Sequence, residues 1–154
     1  MTRLVSIKAV GIVAFCIATV IGASSQTSTK VPRIVKVVHL KKQTGAIGPI
    51  TLYTPQKAGL FRVSLFMVAT VGNGLFGSVC PSIGFTDSIG PGATLGFNSC
   101  LGTETKGDVS SSVGLIESVA GGDITLGVWY SSQTAGSAYN VDVAIEALPE
   151  PSEE

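Results

Sequence analysis

Leu60-Phe61-Arg62-Val63-Ser64-Leu65-Phe66-Met67-Val68-Ala69-Thr70-Val71 is the stretch on which the fold turns. With a period of two, Phe61, Val63, Leu65, Met67, Ala69 and Val71 make one wholly apolar row. Leu60, Arg62, Ser64, Phe66, Val68 and Thr70 make a second row that is half apolar. Successive side chains of an extended chain point to opposite sides, so this pattern predicts a long strand with one face in a core. On the other face Phe66 and Val68 need cover, from another strand, the N-terminal segment or another subunit.

The same alternation recurs in two further places. Ile124, Leu126, Val128 and Tyr130 oppose Thr125, Gly127 and Trp129, and Tyr139, Val141, Val143 and Ile145 oppose Asn140, Asp142, Ala144 and Glu146. Weaker strand patterns lie at residues 34–40, 50–53, 79–85, 94–97 and 112–119. Between them, glycine-rich and Asp/Asn-containing clusters at 55–59, 72–74, 87–92, 102–108, 121–123 and 131–137 supply turn chemistry. The cluster Gly121, Gly122, Asp123 reads as a hairpin turn, and because no helix follows, it is not a phosphate-cradling loop. About eight short strands at this spacing predict an all-β protein. The expected architecture is a single antiparallel β-sandwich, jelly-roll-like, at residues 45–148, preceded by an N-terminal signal helix.

That signal is the clearest local feature. Arg3 and Lys8 precede a nearly unbroken apolar run from Ala9 to Ala23, followed by the polar residues Ser24 to Thr29. The order matches a secretory signal peptide at residues 1–23, with cleavage after Ala23 or Ser25 both satisfying the small-residue rule. The run is shorter than the roughly 20 residues that span a bilayer, so no stable membrane insertion is expected after cleavage. Cys16 follows the bulky Phe15 rather than a small residue, which makes it a passenger of the discarded segment and not a lipid-bearing cysteine.

The remaining chain has a lopsided charge distribution. Without Arg3 and Lys8, eight basic residues face ten acidic ones, a net of −2. Lys30, Arg33, Lys36, Lys41 and Lys42 cluster near the start, so residues 24–44 read as a basic arm or as an edge strand kept from aggregating by its lysines. No nucleic-acid partner is required. Residues 149–154, with Glu150, Glu153 and Glu154, form an acidic tail. The whole chain has 154 residues, 45% of them hydrophobic, which is enough for one domain with a real core and too apolar for disorder.

Cys80 and Cys100 are left after processing, in a chain sent to an oxidising compartment, and a disulfide between them is expected. It would close a loop of about twenty residues. Two thiolates and a distant His39 do not make a zinc site. His39 is the sole histidine, so a Ser-His-Asp triad would have to form around it, and an imidazole on a strand surface is the expected reading. Loop aspartates are of the type that calcium uses, but no run of alternating acids appears, and no metal, cofactor or catalytic residue is assigned. Trp129 is the most informative single side chain. If Tyr130 joins the core row, Trp129 points outward beside Gly127, where it would stack on a sugar ring, anchor a subunit contact, or cover the sheet.

The run Ala58-Gly59-Leu60-Phe61-Arg62-Val63-Ser64 leads into the long strand, and Ala120-Gly121-Gly122-Asp123-Ile124-Thr125-Leu126 precedes a final strand ending near Ala147. Over roughly residues 45–148 this plan resembles the C1q and tumour-necrosis-factor-like jelly-roll domains, where a glycine-aromatic opening begins a long early strand and a Gly-Asp turn precedes the penultimate strands. It is also similar to small secreted β proteins of bacteria and phage-associated gene sets, a likeness that implies no activity. The sequence has no collagen-like repeat, and Ala138 and Tyr139 stand where the C1q-like family has an aromatic-glycine pair. The expectation is a secreted, extracellular or periplasmic, non-enzymatic binding or structural module. Self-association through the face bearing Phe66 and Val68, with a trimer as candidate stoichiometry, is its preferred use. A carbohydrate-binding or adhesin domain that meets a glycan or cell-surface ligand through Trp129 is the alternative.

Overall fold

A computed structural model describes residues 31–97, 99–131 and 135–149. The signal segment expected at residues 1–23 and residues 150–154 of the acidic tail lie outside them. Nine strands run through the described residues: β1 (Arg33–Gln43), β2 (Ile47–Tyr53), β3 (Gly59–Val71), β4 (Ser78–Asp87), β5 (Gly90–Gly96), β6 (Leu101–Gly102), β7 (Val109–Ser118), β8 (Ile124–Tyr130) and β9 (Ala138–Ala147). No helix occurs among these residues. The ninth strand, beyond the eight expected, is β6, whose two residues are too short to leave a period in the sequence.

The strands build two antiparallel sheets. One is four-stranded in the order β1-β9-β3-β7, and the other is five-stranded in the order β2-β8-β4-β5, with β6 added against β4. Outside the β4-β5-β6 run, each strand is followed by one in the opposite sheet, which is the jelly-roll way of closing a sandwich. The turn at 121–123 is therefore not a hairpin. β7 pairs with β3 while β8 pairs with β2 and β4, so this turn carries the chain across the sandwich edge. Gly121 adopts φ +73° there, a conformation that favours glycine, and its N–H donates to the Pro55 carbonyl. Alternation assigns each side chain a face but names no partner strand, which is why the sequence pattern pointed to the simpler turn.

Between the sheets, the inward row of β3 meets its counterparts. Phe61, Val63, Leu65 and Met67 pack with Ile124, Leu126 and Val128 of β8, Val79 and Ile83 of β4, and Tyr139, Val141, Val143 and Ile145 of β9. Burying each such side chain contributes about 1.5–3 kcal/mol, and this one cluster is the main force holding the sandwich shut. Val71, the last residue of the predicted apolar row, lies beyond a register irregularity after Ala69 and is exposed.

Cys80 of β4 and Cys100, just before β6, form a disulfide with 20 residues of separation. It ties the β5–β6 connection to the sheet next to the Ser78–Gly102 and Val79–Leu101 pairs.

Candidate functional site: two outer sheet faces

The outward rows of the four-stranded sheet follow from its register. Arg62 of β3 lies between Glu146 of β9 and Leu115 of β7, Ser64 between Ala144 and Val113, Phe66 between Asp142 and Ser111, and Val68 between Asn140 and Val109. β1 extends these rows, placing Ile34 beside Glu146, Val37 beside Ala144 and His39 beside Asp142. Small side chains in the middle, Ser64 and Ala144, leave a shallow depression of about 400 Å³ whose walls include Val37, His39, Phe66 and Val113.

β7 gives this face its character. Its outward residues Val109, Val113 and Leu115 are 63%, 65% and 58% exposed, whereas inward it presents Ser110, Ser112, Gly114 and Ser118 with only Ile116 as a large apolar group. The strand is amphipathic in the reverse sense. A shift by one residue would exchange the two rows, but the inward row is tied down in its present position. The Ser110 hydroxyl donates to the Ser99 carbonyl, and that of Ser118 to the Thr86 and Gly122 carbonyls. Gly114 leaves the space that the side chains of Leu95 and Phe97 occupy; a β-carbon there would lie 2.1 Å from Leu95 Cδ2. Two of the three inward serine hydroxyls thus find acceptors inside, and apolar groups face water outside.

Phe66 stands 42% exposed in the wall of the depression, while Val68, one row further along, is half-buried. The charged groups among them are internally paired. Arg62 forms an ion pair with Glu146, and His39 Nδ1 lies 2.6 Å from Asp142 Oδ1. Asp142 holds the imidazole as the carboxylate of a catalytic triad would. The serines lining the same depression on β3 and β7, however, stand two and three strands from β1, about 10–14 Å away at normal strand spacing. None of Ser64, Ser111 and Ser112 is in reach of the ring as a nucleophile.

The outer face of the five-stranded sheet is different. Ser82, Gly84, Thr94, Gly96, Thr125 and Gly127 make it flat, small and polar, with Ser82 opposite Gly127 and Gly96, and Gly84 opposite Thr125 and Thr94. Trp129 rises from it, 60% exposed and directly across from Cys80 of the disulfide. Tyr130, its neighbour, turns inward and packs on the core. Loop aspartates have partners: Asp87 accepts from the Ile89 and Gly90 N–H groups and Asp108 from the Thr105 N–H within their own turns, and Asp123 accepts from the hydroxyls of Thr51 in β2 and Thr54 just after it. Among the described residues no three His, Cys, Asp or Glu side chains gather as a metal site.

These faces belong to a fold with known relatives in three dimensions. The globular domain of zebrafish complement 1qA aligns with a TM-score of 0.50 at 8% identity, covering 75% of this chain and 98% of that one. The infectious bursal disease virus VP2 subviral particle gives 0.47 at 16% identity over 75% of this chain and 32% of that one, and the Gx strain of the virus gives 0.41 at 13% identity. No family model and no curated protein sequence matches the chain. The chain is an all-β sandwich that resembles the C1q-like jelly roll. At such identity the likeness extends to the fold alone.

Proposed function

We propose that this protein is an exported structural module that self-associates through the outer face of the β1-β9-β3-β7 sheet. The observation that carries the reading is the inverted β7, which keeps satisfied hydroxyls inside and holds Val109, Val113 and Leu115 in water. Large apolar side chains arranged contiguously on a sheet face mark a surface meant to be covered. A second copy of the chain is the occupant that fits. Arg62 and Glu146 neutralise each other within the face and Asp142 has His39 as its own partner, so the face asks little countercharge of a second copy. The projecting Phe66 and Val113 of one copy meet a depression floored by Ser64 and Ala144 in another. Four strands of about ten residues present roughly 600 Å² before side-chain relief, the order of the surface each partner contributes to a stable interface.

Light scattering on a dilution series tests this. Wild-type protein is expected to run as an oligomer, whose mass also decides whether three copies assemble. Phe66→Asp should raise the dissociation constant about 30-fold, in the manner of a lost central anchor. A wild-type protein that stays monomeric at high concentration overturns the reading.

A specific observation favours a second use for the opposite face. Trp129, exposed on a floor of Gly127 and Ser82, has the flat aromatic surface and the neighbouring hydroxyl that stacking on a sugar ring calls for. On a glycan array, wild-type signal that disappears in Trp129→Ala while the oligomer persists would establish an adhesin-like role. Absence of any wild-type signal removes it. The disulfide suits the oxidising compartment to which the N-terminal export signal would direct the chain.

A further inference from the structure

From the position of the His39–Asp142 pair we infer that self-association through this face is coupled to proton uptake at His39 and tightens on mild acidification. The inference rests on the reading of the face given above. His39 and Asp142 line the depression together with Val37, Phe66, Val113 and Ala144, and both are open to water in the single chain, with side chains 59% and 43% exposed. A second copy seated in the depression strips that water away.

With a neutral imidazole the pair carries one negative charge, and the covered carboxylate has lost its hydration for a single N–H donor. With a protonated imidazole the pair is a neutral ion pair 2.6 Å apart, which is far less costly to cover. Whatever state is favoured by a proton binds that proton more tightly, so covering the face draws a proton onto His39. The other charged groups on this face are Arg62 of β3 and Glu146 of β9, paired with each other, and Glu117 at the far end of β7, opposite Leu60; β1 adds Lys41 near its second register irregularity, while Lys36 stands opposite the inward Ile145. His39 is the only histidine in the chain, and histidine is the side chain that ordinarily changes charge between about pH 5.5 and 7.5. The sequence's one imidazole therefore lies within the face.

The test measures the association constant of the purified exported protein by sedimentation at pH ~5.5 and ~7.5, for wild type, Asp142→Asn and His39→Gln. Association of the wild type is expected to be about tenfold tighter at the lower pH, within the limit of tenfold per pH unit for one proton per contact. In His39→Gln the association constant should be the same at both pH values. In Asp142→Asn the preference should vanish or reverse, because a lone imidazolium is then the charge to be covered. Circular dichroism confirms that each variant is folded. An oligomer of equal strength at both pH values refutes the proton coupling and leaves the interface standing, as does a pH dependence that survives in His39→Gln. A wild type that is monomeric at both pH values refutes the interface itself, and the coupling with it.

Discussion

Replacing Cys80 and Cys100 together by alanine is expected to lower the free energy of unfolding by about 3 kcal/mol, with a fall in Tm of about 10 °C. The loss arises in the unfolded chain. Native contacts around the bridge do not depend on it: Leu101 is fully buried, β6 is paired with β4 through Ser78–Gly102 and Val79–Leu101, and β5 is paired with β4 from Ser82 to Asp87. What the bridge removes is the freedom of a loop spanning 20 residues of sequence to open, and on the chain-entropy estimate that restriction has the stated magnitude. Two signatures separate this account from local damage. The denaturant dependence of unfolding should steepen, because an uncrosslinked chain exposes more surface when it unfolds. Strand content by circular dichroism should be unchanged in the absence of denaturant. A loss below about 1 kcal/mol would show that the unfolded chain keeps the β4–β5 hairpin closed without the bridge.

The contrast between what this sequence shows and what it hides has a physical basis. β3, β8 and β9 were legible because one of their rows is apolar from end to end, so parity alone places Phe61, Leu126 and Val143 in the interior. The same parity sends Trp129 outward once Tyr130 is in. β7 was only a weak signal, since its large residues face water and its small ones face the core. A search for the apolar row reads its orientation backwards. The clue was present in the spacing of Val109, Val113 and Leu115 around a serine-rich row, and its meaning depends on Leu95 and Phe97 filling the space over Gly114. Phe66 could be singled out from β3 alone. Ile34, Val37 and the two ion pairs could not, because His39–Asp142 and Arg62–Glu146 join residues 103 and 84 positions apart through registers that only the sheet order fixes. Sheet order is also where the expected hairpin at 121–123 went astray.

Raising the pH through the alkaline range is expected to destabilise the sandwich at one identifiable residue. Tyr139 opens β9 with its ring fully buried against Tyr130, at a centroid distance of 6.0 Å, and its hydroxyl donates to the Gly45 carbonyl at 2.7 Å. This bond pins the β1–β2 connection to the strand that links β1 with β3. Burial away from water, and next to it the charge of a Tyr130 phenolate, push its pKa up from 10.0 to about 12. The folded protein therefore keeps the phenolic proton in a range where the unfolded chain has released it. Bound protons are then fewer in the unfolded state, so stability falls as pH rises. The contribution is complete below about pH 10 and is lost progressively between about pH 10 and 12, by on the order of 2 kcal/mol. Urea unfolding at a series of alkaline pH values measures the slope, and Tyr139→Phe isolates it. At neutral pH that variant should be about 1 kcal/mol less stable, since the Gly45 carbonyl loses its donor. Between pH 10 and 12 its stability should decline less steeply than that of wild type. Parallel curves for the two proteins would mean that the buried hydroxyl is not the group responsible.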